Sequence, residues 1–250
     1  MLDSIKQAVS DGKIKLIQGM VQEALDGGAS AAEVLDAMTE SGELVREPAA
    51  GQDACYLPEL YFAECETARR IADLVLAGAP EWPKGRQAAG AQNPEQLIKA
   101  VEVEQSITLA PLQREILRLA LRSRIVAVTG GPGTGKTTSL RALVGLFQRL
   151  GLKTVLAAPT GRAAKRMAEL TGIEAATVHR LLGAKRSDEG DRTVFTKNRS
   201  DRLNCDALIV DECSMLDIRL MVALLEALPE RARLVLTELL TMETEENDGI

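Results

Sequence analysis

The chain has 250 residues, enough for one large domain or two small ones, and its hydrophobic fraction of 46% can supply a core. No stretch approaches the ~18 consecutive apolar residues of a membrane span, and MLDSIKQAVSDGKIK at the amino terminus lacks a long apolar segment. These features exclude a helical membrane protein and lead us to expect a cytoplasmic one. The net charge of −6 argues against a chain that is basic throughout, yet the charge is uneven. Residues 1–60 hold four Lys/Arg against eleven Asp/Glu, whereas residues 160–202 hold ten against six. That basic stretch is either a solvated surface or a contact for an anionic partner. Cys55, Cys65, Cys205 and Cys213 are scattered without C-x-x-C spacing, so neither a zinc site nor a disulfide framework is expected.

Ile14–Leu25 and Ala31–Met38 carry apolar residues at helical spacing, with Gly27-Gly28 between them. Ser30 and Glu33 form a capping-box pattern at the start of the second. Glu43–Arg46 and Cys55–Pro58 then read as short strands around the polar loop PAAGQD. Helix, turn, helix and hairpin is a winged-helix-like order for residues 1–77, a unit that binds DNA in some proteins and serves as a docking or spacer module in others. Its acidity favours the second role. Glu59–Leu76 is helical, and residues 78–93, with Pro80, Pro83, Gly85 and Gly90, are expected to be a linker.

Two helices, Pro94–Glu104 and Pro111–Arg122, lead into the most informative segment, RIVAVTGGPGTGKTTSLRAL at 124–143. Ile125–Thr129 is a buried-strand run, and the glycines after it allow backbone angles that aim successive N–H groups at a phosphate. The helix starting near Lys136 turns its positive end toward the same place. The pattern G-x-x-x-x-G-K-[ST] between a strand and a helix is a phosphate-binding loop. Its nucleotide-binding residues are Gly131, Pro132, Gly133, Thr134, Gly135, Lys136, Thr137 and Thr138. Lys136 reaches the β- and γ-phosphates, and the Thr137 hydroxyl ligates the Mg²⁺ of ATP.

Downstream, strand Lys153–Ala158, helix Arg162–Leu170 and a short helix near Thr177–Leu182 precede a polar stretch at 183–204, within which Thr193–Thr196 suggests a hairpin. The run Ala207–Val210 ends in Asp211-Glu212, which alone would be an ordinary strand end. After a phosphate-binding loop, Asp211 is the candidate for the Mg²⁺ shell, acting through water, and Glu212 for the base that polarises the attacking water. Helix 217–227 and strand 233–237 complete a β/α alternation. The fold class expected for 94–237 is therefore α/β: a P-loop NTPase with a parallel sheet and helices on both faces.

Five segments in order, LAPLQREIL at 109–117, GGPGTGKTTSL at 130–140, APTGRAAKRMAELTG at 158–172, ATVHRLLG at 176–183 and LIVDECSMLD at 208–217, resemble the RecD/TraA branch of superfamily 1 DNA helicases, which includes the exonuclease V alpha subunit. YLPELYFAECETARRIADLV at 56–75 is similar to the segment leading into that family's core, so the resemblance covers most of 40–236. It implies ATP hydrolysis coupled to 5′→3′ movement on single-stranded DNA, in DNA repair and recombination. It implies that Gln113 reads the adenine edge, and that Thr160, Arg162 and Lys165, then Thr177 and His179, contact the strand. From its residue type alone, His179 is a surface or capping residue. Phe195 is either a buried hairpin residue or a base-stacking one; with aromatics at 2%, phosphate tracking is the expected mode.

The resemblance stops after Leu236. Where these helicases continue with a glycine-aspartate segment and a γ-phosphate-sensing glutamine, this chain reads TELLTMETEENDGI from Thr237, with an acidic tail at 238–250. The family's second RecA-like domain and its arginine fingers have no counterpart in the sequence. Expected from this is a truncated helicase lobe that binds ATP weakly, turns it over slowly and does not unwind DNA alone. Its expected partners are single-stranded DNA and either other helicase or recombination subunits or a separately encoded second motor domain. The alternatives are a non-catalytic nucleotide- or DNA-binding interaction module, or a P-loop ATPase of another class.

Overall fold

The computed structural model describes residues 22, 26–28, 30–49, 51–78, 93–131, 134–186 and 193–239. The expected helix over Ile14–Leu25, nearly all of the expected linker, the tail from 240 onward, and Pro132 and Gly133 of the phosphate-binding loop lie outside them. The chain divides into two compact units, residues 1–66 and 67–250.

In the first unit, α1 (Ala31–Glu40) opens with the expected capping box, Ser30 Oγ accepting from Glu33 N and Glu33 accepting from Ser30 N. Strands β1 (Val45–Ala49) and β2 (Gln52–Tyr56) are antiparallel, with Ala49 opposite Gln52. The sequence suggested a six-residue loop here, but the strands consume most of it. Gly51, at φ +81°, allows a two-residue connection, so the flanking residues pair instead of looping. Pro48 is tolerated because a two-stranded ribbon has a free edge on each side. Pro58, expected to end the second strand, instead opens α2 (Pro58–Leu76), as proline's fixed φ favours the first turn of a helix. The division between the units falls inside α2.

The second unit is built on a five-stranded sheet of β3 (Ile125–Gly130), β4 (Thr154–Ala158), β5 (Ala175–Thr177), β8 (Ala207–Val210) and β9 (Arg233–Leu239), in spatial order β3-β9-β8-β4-β5. All four pairings are parallel. The strands read as near-continuous apolar runs because both faces are covered. Successive residues therefore enter opposite cores. Leu156, Ile209 and Val235 pack on the side of α3 (Pro94–Gln105), α4 (Pro111–Arg122) and α5 (Lys136–Arg149). Ala157, Leu208 and Leu234 pack against α7 (Val178–Leu181) and α8 (Ile218–Ala227). Between β4 and β5 runs α6 (Gly161–Thr171). A small hairpin, β6 (Ala184–Arg186) with β7 (Thr193–Phe195), occupies the polar stretch. Phe195 is half-buried against the α7/α8 core, consistent with the hairpin-residue alternative.

Two features anchor the site to this frame. In α5, Leu140, Leu143, Val144 and Phe147 recur at i, i+3, i+4 and i+7 and are buried in the core, which fixes the helix that carries Lys136. At the α3–α4 turn the buried Glu102 accepts from Leu109 N at 2.9 Å and pairs with Arg114 at 2.5 Å. A carboxylate in that position is stable because both oxygens are satisfied.

Candidate nucleotide site

The site lies at the carboxyl ends of the parallel strands, where β3 gives way to α5. Here the chain must turn sharply without blocking its own N–H groups. Thr134 closes the turn, its Oγ1 donating to Gly131 O at 2.9 Å. A Cβ on Gly130 would stand 2.7 Å from that same hydroxyl oxygen, so the close approach requires glycine. Gly135 caps α5 at φ +80°, and among the described residues no side chain caps the helix's first N–H groups. A 14-residue helix thus presents open donors and its positive end toward the pocket.

A cavity of about 390 Å³ opens at this turn. Lys136 and Thr137 line it from α5, Asp211 and Glu212 from the end of β8, and Thr237 from β9. Asp211 is held from two sides: its N–H donates to Ala157 O at 3.0 Å, and its Oδ1 accepts from the Thr237 hydroxyl. The β8–β9 register explains the second contact, since Val210 lies opposite Leu236 and Asp211 and Thr237 follow them directly along their chains. Glu212 adopts a left-handed backbone, φ 53°, an uncommon conformation for a residue with a Cβ. The short 3₁₀ turn Cys213–Met215 follows, and Ser214 N donates to Glu238 Oε2 at 2.5 Å. The end of β9 therefore clasps both the aspartate and the turn after the glutamate.

Electrostatics set the working charge of the pocket. Burial pushes the Lys136 ammonium below its ordinary range, opposed by Asp211, Glu238 and Glu212 in that order. Burial, aided by the Glu238 carboxylate, pushes the Cys213 thiol up to about 11, so it is protonated and unreactive at neutral pH.

Gln113 sits at the first turn of α4, where its Oε1 accepts from Ala110 N at 2.9 Å and its Nε2 donates to Gly135 O at 3.2 Å. The amide thereby ties the helix preceding β3 to the phosphate-binding turn. Thr160 and Thr177 each cap a helix, accepting from Ala163 N and Arg180 N respectively. They are brought together by the β4–β5 register, in which Ala158 lies opposite Thr177. Arg162, Lys165 and His179 are exposed, and the His179 ring lies 6.1 Å from that of Phe195. Pro132 and Gly133 lie outside the described residues, and Thr138 follows Thr137 in the first turn of α5 without lining the cavity.

Besides Leu140 in α5, sequence reasoning missed four residues that line or border the site. Arg166 and Leu170 reach the cavity from α6, one and two turns beyond Arg162, so helical spacing from that residue was the available signal. Thr237 and Glu238 carry no motif; only pairing of β9 with β8 brings them to Asp211 and Ser214.

A parallel sheet with a glycine turn, a lysine at the head of a buried helix and an Asp-Glu pair on the next-but-one strand defines a P-loop NTPase lobe. Residues 113–237 match the family described as AAA domain. The ATP-dependent RecD2 DNA helicase of Deinococcus radiodurans is 41% identical over 194 residues, 75% of this chain and 24% of that protein. The RecBCD enzyme subunit RecD of Mycolicibacterium smegmatis is 40% identical over 147 residues, 50% of this chain and 26% of that one. A solved structure of Bacteroides Pif1 bound to ssDNA is 26% identical, with 53% of this chain and 32% of that chain covered and a TM-score of 0.36. The chain belongs to the AAA-domain family and, within it, to the RecD-like superfamily 1 helicases. It spans about a quarter of the length of the curated relatives it matches.

Proposed function

We propose that this chain acts as the ATP-binding motor lobe of a RecD-like DNA helicase, with single-stranded DNA running past the carboxyl edge of the sheet. The observation that carries the reading is the convergence of Lys136, Thr137, Asp211 and Glu212 on one cavity at an uncapped helix start. Lys136 and the open N–H groups at the start of α5 hold the β- and γ-phosphates. The Thr137 hydroxyl and the Asp211 carboxylate are hard oxygen donors of the kind Mg²⁺ takes, the aspartate through water. That ion supplies charge neutralisation between the phosphates when bound. Glu212, turned into the cavity by its left-handed backbone, accepts the proton of the attacking water. Gln113 reads the adenine edge by exchanging its Gly135 contact for the base.

Thr160 and Thr177 use their oxygen lone pairs as helix caps, which leaves each O–H as a donor toward a strand phosphate. Arg162 and Lys165 add positive charge on the same edge, and His179 a ring beside Phe195. A protein that works on DNA in this way belongs in the cytoplasm, with recombination subunits or a second motor domain as partners. Among the described residues no helix is long and apolar enough to cross a membrane.

The deciding experiment is a DNA-stimulated ATPase assay on the whole chain and its Lys136→Ala variant. Turnover that rises with single-stranded DNA and disappears in the variant supports the reading. Turnover indifferent to both overturns it. A second reading, a nucleotide-gated binding module without turnover, is favoured by Glu238, which adds a third carboxylate beside Lys136. Nucleotide-dependent DNA binding with no measurable hydrolysis would select it.

A further inference from the structure

A second cleft, about 490 Å³, lies at the opposite end of the sheet. Arg124, which lines it, immediately precedes β3, and Glu230, also lining it, lies just before β9. The nucleotide cavity begins where β3 ends. Six residues of extended strand separate the two by roughly 20 Å, at about 3.3 Å per residue.

Five arginines line this cleft: Arg69 and Arg70 from α2, Arg124 from the sheet edge, and Arg199 and Arg202 from the basic stretch that precedes β8. Against them stand Asp73 and Glu230 in the lining, and Glu226 alongside, which accepts from Arg199 at 2.9 Å and faces Arg70 at 3.9 Å. Cations thus outnumber carboxylates. Part of the set has an architectural task, since Arg70, Arg202 and Arg124 donate to the carbonyls of Leu225, Leu228 and Glu230 at and beyond the end of α8. That task does not exhaust it. The Arg124 Nε–H is shut off from solvent and meets no acceptor among the described residues, an arrangement that is costly unless an anion arrives. Leu74, Leu225, Leu228 and Pro229 add an apolar wall beside the guanidinium groups.

Resting on the DNA-handling role proposed for the nucleotide edge, we propose that this cleft binds the phosphodiester backbone of a nucleic-acid strand, as a second contact remote from that edge. Guanidinium forks match phosphate oxygens two at a time, and the apolar wall suits the sugar and base faces that accompany each phosphate. The basic character of residues 160–202 then has two destinations, Arg162 and Lys165 at one edge of the sheet and Arg199 and Arg202 at the other.

The test is fluorescence anisotropy of a labelled oligothymidylate on the whole chain as salt is raised. Arg69→Gln combined with Arg199→Gln, two half-exposed side chains, is expected to weaken binding several-fold at low salt. It should also flatten the slope of log K against log salt by roughly 0.7 for each phosphate that is no longer neutralised. An unaltered affinity and slope in the double variant overturns the proposal, and if Thr160→Ala with Lys165→Ala still abolishes binding, the DNA-handling role survives it. No binding by any form of the chain overturns both. Should the double variant fail to fold, photo-crosslinking of an iodouracil oligonucleotide to the unaltered chain replaces it: labels within 69–77 or 225–230 support the cleft, and labels confined to 160–180 overturn it. Polyglutamate that displaces the oligonucleotide as well as unlabelled DNA of equal charge would make the cleft a dock for an acidic protein and overturn the nucleic-acid assignment.

Discussion

Glu212, proposed as the base, adopts a conformation its own side chain does not favour. Its left-handed backbone is held by neighbours rather than preferred by its own side chain, through Ser214 N on Glu238 and the Thr237 hydroxyl on Asp211. Glu212→Gln keeps the shape and removes the proposed base, so nucleotide affinity should persist while turnover falls by about 10²–10⁴. Fluorescent-nucleotide titration beside a phosphate-release assay separates the two, and a parallel loss of affinity would show that Glu212 is not acting as a base. Gly135 is the converse case. A Cβ there would meet Gln113 Nε2 at 2.3 Å at a φ of +80°, so Gly135→Ala should cost about 1–2 kcal/mol in urea denaturation and weaken nucleotide binding. Cys205 carries a pH prediction. Burial pushes its thiol up to about 12 in the folded chain, above the unfolded value near 9. The stability this represents is complete below pH 9 and is lost as pH rises toward 12. The penalty of Cys205→Ala should therefore shrink between pH 8 and pH 11, followed by urea midpoints.

At the scale of elements, the site depends on helices placed by packing. Leu143 is fully buried in the face of α5 that meets the sheet. Leu143→Ala should cost about 3 kcal/mol by creating a cavity, and should weaken nucleotide binding as well, because the same helix carries Lys136. Thr160 caps α6; its replacement by alanine should cost only about 1 kcal/mol. The elements most legible in the sequence were those with strong local signals. The Ser30–Glu33 capping box, the prolines at the starts of α3 and α4, and the 3.6-residue period of α5 all act within one turn of chain. Illegible was β5: three residues, Ala175–Thr177, have no period to read and become a strand only because β4 offers an open edge. The β1–β2 ribbon erred the other way, since a polar composition suggested a loop that one left-handed glycine made unnecessary.

For the whole molecule, the two ends of the parallel sheet gather different chemistry. Carboxyl ends gather the phosphate-binding turn, Asp211 and the capping threonines, while amino ends gather arginines from α2, the start of β3 and the segment before β8. The described residues contain one such sheet. Closure around a bound ligand needs one body to move against another. The 250-residue chain is accordingly expected to leave a forked duplex intact in a strand-displacement assay while still binding nucleotide. Strand separation by the purified chain would refute the single-lobe reading.

By itself the sequence determined the phosphate-binding turn, the Asp-Glu strand end and the α/β alternation, because each is written in residues close together along the chain. Only the tertiary structure decided that Arg166, Thr237 and Glu238 belong to the nucleotide site, and that arginines from 69 to 202 share one cleft. Those residues are brought together by strand register and helix packing, which act between segments far apart in sequence and leave no local pattern to read.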